Sequence, residues 1–141
     1  MPSSTVETVF DAPRDVVYRH FAERESVSPY LPIQVKLVRP GDESGVGAQH
    51  SLGFGKVGIT EEITKLVPGE RMEYKVAKGA PVKRHVGIVT FADDPSGGTK
   101  VVYTMESEPS LPVPAPVLTA GLRALTNQLI GGIRKAVAAT A

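Results

Sequence analysis

The stretch AQHSLGFGKVGITEEI, residues 48–63, decides how this chain folds. At its centre, Gly55-Lys56 reads as a two-residue hairpin turn, and both arms alternate apolar and polar residues with the period of a strand. Phe54 then faces Val57, Leu52 faces Ile59, and His50 lies opposite Glu61. The last two break the pattern. An imidazole and a carboxylate occupy slots that the alternation reserves for apolar side chains, which predicts a partly polar pocket on that face.

Period-two segments continue outward from this hairpin. Strand one is expected over Ser4 to Phe10, strand two from Ile33 through Val35 and Leu37, strand three over Ala48 to Phe54 and strand four over Val57 to Val67. Pro68-Gly69 turns the chain into strand five, Arg71 to Ala77. Strand six runs from Lys83 to Ala92, and after DDPSGG strand seven runs from Thr99 to Ser107. Between strands one and two, Asp11-Ala12-Pro13 reads as a helix start, with Asp11 as the cap and Pro13 in the first turn. Val16, Val17, His20 and Phe21 follow at helical spacing, and a second short turn is expected over Glu23 to Val27. The run EPSLPVPAP, Glu108 to Pro116, ends the sheet because proline lacks a ladder donor. Val117 to Ala138 then reads as one long helix with an apolar stripe of Leu118, Leu122, Leu125, Leu129, Ile133 and Ala136.

At 141 residues the chain suits a single domain, residues 1–141, with one core. A net charge of +1 without an extended basic block gives no electrostatic reason to expect nucleic acid. The absence of cysteine excludes thiol chemistry and cysteine metal sites. MPSSTVETVF has neither a basic nor an apolar signal region, and Arg123, Asn127, Arg134 and Lys135 interrupt the last helix, so neither secretion nor a membrane span is expected. A cytoplasmic protein is the expectation.

The element order and four segments, VETVFDAPRDVVYRHFA, ITEEITKLVPGERMEY, VTFADDPSGGTKVVYTM and the closing helix, together resemble the START-like or SRPBCC superfamily, and in particular its polyketide cyclase/dehydrase and lipid-transport branch. The DAP step and the Gly-Gly-Thr before strand seven are the most telling local signs. The resemblance implies an α+β helix-grip fold: a curved seven-stranded antiparallel sheet wrapped around a long C-terminal helix, with two short helices between strands one and two. It further implies a cavity for a hydrophobic molecule between sheet and helix, and leaves open whether chemistry follows. The Cys/His iron–sulfur ligand pairs of oxygenase relatives are missing, and no cofactor is implied.

Extending the hairpin registers places Ile63 beside Tyr74, Glu61 beside Val76, Val76 near His85, Tyr74 near Gly87, His85 near Met105 and Gly87 near Tyr103. A one-residue slip would turn a whole strand over. On this map His50, Glu61, Tyr74, His85 and Tyr103 point inward among Leu52, Phe54, Ile59, Ile63, Met72, Val76, Val89, Phe91, Val101 and Met105. Leu125 faces them from the helix. Apolar walls with a few placed polar groups are the profile of a small-molecule site. His50 and Glu61 admit three readings: a cross-strand ion pair, a polar anchor for ligand, or an acid/base pair in which Glu61 orients the imidazole and raises its pKa. His50 and His85 lie on strands too far apart to share a metal ion. GFGKVG lacks the helix a phosphate loop needs. Gly121, Gly131 and Gly132 weaken a helix, and either close approach or simple drift explains them.

Three functions remain open on the sequence. The first is a carrier of a fatty-acyl, isoprenoid, sterol-like or polyketide-like ligand. The second is a cyclase/dehydratase-type enzyme using His50 and Glu61, and the third a non-catalytic interaction module. Oligomeric state is not legible.

Overall fold

The computed structural model describes residues 2–54 and 57–140, with every side chain among them except those of Phe54 and Val57. The expected Gly55-Lys56 turn lies outside the described residues. In chain order the elements are β1 (Ser3–Phe10), α1 (Arg14–Ala22), a 3-10 helix (Arg24–Tyr30), β2 (Gln34–Arg39), β3 (Gln49–Phe54), β4 (Val57–Val67), β5 (Arg71–Lys78), β6 (Val82–Asp93), β7 (Thr99–Pro109) and α2 (Ala115–Thr140). The strands form one antiparallel sheet in the order β1-β7-β6-β5-β4-β3-β2. The meander is thus extended past β7 by β1, and α2 packs against β1, β7, α1 and the 3-10 helix. This is the helix-grip architecture.

The hairpin at the centre of the quoted stretch has the expected register: His50 opposite Glu61, Leu52 opposite Ile59, Phe54 opposite Val57. Ile63 pairs with Tyr74 and Glu61 with Val76, as expected. Tyr74 pairs with Gly87. Between β6 and β7 the expectation fails by two residues, since His85 pairs with Ser107 and Gly87 with Met105. A shift of two keeps every side chain on its face, so alternation alone does not detect it.

Two bulges interrupt the β4–β5 ladder, one between Thr60 and Glu61 and one between Ile63 and Lys65. A bulge bends and twists its strand. Here successive residues Thr60 and Glu61 are both buried, which strict alternation forbids.

The core is organised around Phe21 of α1. Its ring meets Phe10, Phe91 and Tyr103 at centroid distances of 6.0, 5.3 and 5.9 Å, and Tyr103 in turn stands edge-on to Tyr74. Such aromatic pairs stabilise beyond their burial. The two local signs of the fold meet in one contact. Thr99 Oγ1 donates to the Ala12 carbonyl at 2.7 Å, and the Phe10 carbonyl occupies the space a Cβ at Gly98 would need. Asp11 makes no cap; Pro13 holds the cap position, and the Val17 N–H donates to its carbonyl at 3.1 Å.

The helix glycines divide. A Cβ at Gly132 would run into Leu31, whereas one at Gly121 or Gly131 meets nothing within 4 Å. Gly121→Ala and Gly131→Ala are each expected to stabilise by about 0.5–1 kcal/mol, because alanine gives up less backbone freedom in a helix. Gly132→Ala should instead lower the urea midpoint.

Candidate ligand site

The 3-10 helix carries the group that organises the interior. With three residues per turn it places Arg24 and Val27 on one face, and both are buried. Arg24 Nη2 lies 2.5 Å from Glu61 Oε1, and Arg24 Cζ sits 4.3 Å from the centre of the Tyr74 ring. The Tyr74 and Tyr103 hydroxyls hydrogen-bond to each other beneath it. A buried charge survives only if paired, and each member here is the other's compensation. Burial opposes the charge on Arg24, but Glu61 together with Tyr74 and Tyr103 holds its pKa above the ordinary value. Burial raises the Glu61 pKa, with Arg24 pulling it back. Burial likewise pushes Tyr103 up to about 12 and Tyr74 well above its usual range. Arg24 Nη1 is buried with no hydrogen-bond partner among the described residues.

His50 does not pair with Glu61, although the two are opposite in register. Its Nε2–H donates to Glu25 Oε2 at 2.7 Å, while Glu61 turns to Arg24. The carboxylate that holds the imidazole is therefore Glu25. The His50 pKa lies below 6.5, because burial outweighs the contribution of Glu25 and the Arg24 charge adds to it. With the proton on Nε2, Nδ1 is a bare acceptor, and it has no partner among the described residues. The cross-strand and acid/base readings both join His50 to Glu61; the structure has instead two separate pairs, each completed from the 3-10 helix.

Two recesses flank this pair of pairs. The first is a cleft between sheet and α2, lined by Arg24, Leu52, Met72, Tyr103, Leu129 and Ile133 among others. It holds only about 20 Å³. The hollow expected from the sequence is thus narrow here, because Arg24 and the Phe21-centred rings fill it. The second is an open groove of about 530 Å³ between α1, the start of the 3-10 helix and the loop at residues 40–45. His50 and Ile63 line this groove rather than the cleft.

Of the remaining expected site residues, Tyr74, Val89 and Met105 are buried in the core beside the cleft. His85 is buried but far along β6, where it and Val76 border a shallow recess of about 370 Å³. Ile59 and Val76 are only partly buried, and the Phe54 side chain lies outside those described. Leu125 is a correction: it is 39% exposed and lines neither recess. The inward stripe passes instead through Leu122, Thr126, Leu129, Ile130, Ile133 and Val137. Thr126 takes the buried place because its hydroxyl donates to the Leu122 carbonyl at 2.8 Å. Sequence pattern marks neither Arg24 nor Glu25, and helical spacing alone gives His20 no role. His20 bonds Ser26 Oγ through Nδ1 at 2.9 Å and Thr140 Oγ1 through Nε2 at 2.8 Å, tying three helices together.

A curved antiparallel sheet gripping a terminal helix over a polar-centred cleft is a START-like domain. A START superfamily protein from Mycobacterium smegmatis superimposes with a TM-score of 0.85 at 11% identity, covering 100% of both chains. TTHA0849 from Thermus thermophilus gives 0.78 at 24% identity over 99% of each chain, and XoxI from Bacillus cereus gives 0.76 at 14% over 97% of this chain and 96% of its own. No curated protein matches the sequence. The profile of the polyketide cyclase/dehydrase and lipid transport family matches residues 1–140, and the chain belongs to that family. Family and fold together support a hydrophobic-ligand-binding domain.

Two measurements check this geometry. Arg24→Leu leaves the Glu61 carboxylate buried without its cation, and should destabilise the fold by about 3–5 kcal/mol in urea titrations; the double variant Arg24→Leu/Glu61→Leu should recover most of that loss. The imidazoles of His50 and His85 should titrate below 6.5 by NMR, burial being the main cause in both. For such groups the unfolded chain takes up the proton first, so their contribution to stability is lost as pH falls from 6.5 through their folded pKa values.

Proposed function

We propose that this protein binds and carries a small amphipathic molecule whose acceptor-bearing end, a carboxylate or carbonyl, meets Arg24 and whose apolar body lies between the sheet and α2. One observation carries the reading: Arg24, whose buried Nη1 has no hydrogen-bond partner among the described residues, lines a mostly apolar cleft. A charged donor held in low dielectric with an open valence binds an anionic or carbonyl oxygen more strongly than one at a wet surface does. Leu52, Met72, Leu129 and Ile133 supply the apolar contact, and Met72 adapts its shape to the chain it meets.

The cleft as it stands admits one water-sized group, whereas small-molecule sites span roughly 300–1,000 Å³. Loading therefore requires α2 and the 3-10 helix to part. The connector and first turn of α2 leave Leu111, Val113 and Val117 exposed. The cyclase/dehydratase reading is less well supported, since His50 is held by Glu25 and lies outside the cleft.

Calorimetric titration with dodecanoate tests the proposal. Saturable binding is expected, with Arg24→Met weakening it by roughly tenfold or more through loss of a charge-assisted hydrogen bond. Leu129→Trp, which fills the cleft and leaves the ion pair intact, should abolish it. Binding that survives Leu129→Trp unchanged would place the ligand elsewhere.

A further inference from the structure

Where β7 gives way to α2, the consecutive residues LPVPAPV, 111–117, are all apolar and all exposed. Leu111 and Val117 are 63% and 62% exposed. Single apolar residues on a surface are ordinary, but an unbroken exposed run of them marks something that covers it. The run is anchored at both ends. The Ser110 N–H donates to the Pro81 carbonyl at 2.9 Å, and the Val117 and Leu118 N–H groups donate to the Pro114 carbonyl at 3.0 Å. The first of these bonds sets the run beside the β5–β6 loop, residues 79–81, where Pro81 is exposed as well.

The charge at this end of the molecule is one-sided. Val82 pairs with Pro109 and Arg84 with Glu108, so Lys83 and Arg84 flank the run, and Lys78 stands at the other foot of the loop. Arg123 follows along α2, about 9 Å from Val117. These four cations are exposed. The acids of this end are Glu106 and Glu108, the latter 4.0 Å from Lys83, and no acidic residue follows Glu108 in the chain.

We infer that this end docks on the surface of an anionic lipid bilayer. The run LPVPAPV lies at the level of the head groups, and Lys78, Lys83, Arg84 and Arg123 meet the lipid phosphates. Pro112, Pro114 and Pro116 have no N–H, so they bring no backbone donor that must leave water. Proline also stiffens the segment, so less freedom is lost on docking. Apolar contact and attraction to anionic lipid act together in interfacial binding. The flanking cations favour lipid over a protein groove for proline-rich strands, which has aromatic walls and needs no charge from its ligand. The surface is separate from the cleft, and the inference does not depend on the carrier reading.

Co-sedimentation with large unilamellar vesicles tests it, comparing phosphatidylcholine alone with equal parts of phosphatidylcholine and phosphatidylglycerol. At low salt the protein should partition onto the mixed vesicles at least about tenfold more strongly. Leu111→Ser/Val117→Ser and Lys83→Gln/Arg84→Gln should each weaken that binding by roughly fivefold or more, with urea midpoints unaltered because every position is exposed. Lys36→Gln/Arg39→Gln, which removes exposed cations from the edge strand β2, should leave it unchanged. No partition onto the mixed vesicles, binding indifferent to Leu111→Ser/Val117→Ser, or an equal loss from the β2 pair would overturn the inference.

Discussion

The interior depends on one ion pair. Arg24 is delivered by a short 3-10 helix into the sheet's concave face, and Glu61 meets it there. Neither charge would tolerate that position alone, so the elements that bring them together are bound to each other. The bulge beside Glu61 turns Thr60 and the acid inward in succession. The Tyr74 ring, on which the guanidinium rests, occupies the space that a side chain at residue 87 would need, and Gly87 opposite it leaves that space free. Phe21 ties α1 to the same tyrosine pair through Tyr103. A buried pair of this kind contributes little net stability, because desolvation offsets attraction. What it contributes is a fixed donor in an apolar place.

The strand periods and turns carried most of the fold. The β3–β4 register was readable because a one-residue slip would have put Leu52 in water and Ser51 in the core. The β6–β7 register was not, because a slip of two leaves the same side chains inward. Arg24 and Glu25 escaped notice because a charged residue in a short polar segment is ordinarily solvated, and their partners lie 37 and 25 residues away along the chain. Apolar periodicity puts Leu125 in the helix stripe, but Thr126, which satisfies its own hydroxyl within the helix, takes the buried place.

Two neighbouring recesses thus divide the polar chemistry of the molecule. The cleft offers a donor at the end of an apolar wall, and the groove has an acidic rim. The 3-10 helix separates them, with Arg24 facing one and Glu25 the other.

The guanidinium of Arg24 is the place to look. Its side-chain N–H resonances can be followed by proton–nitrogen correlation NMR while dodecanoate is added. A saturable displacement of the Arg24 signals, with those of surface arginines such as Arg39 and Arg123 unmoved, is the expected result. Ligand uptake with the Arg24 signals unchanged would contradict the role assigned to the buried pair.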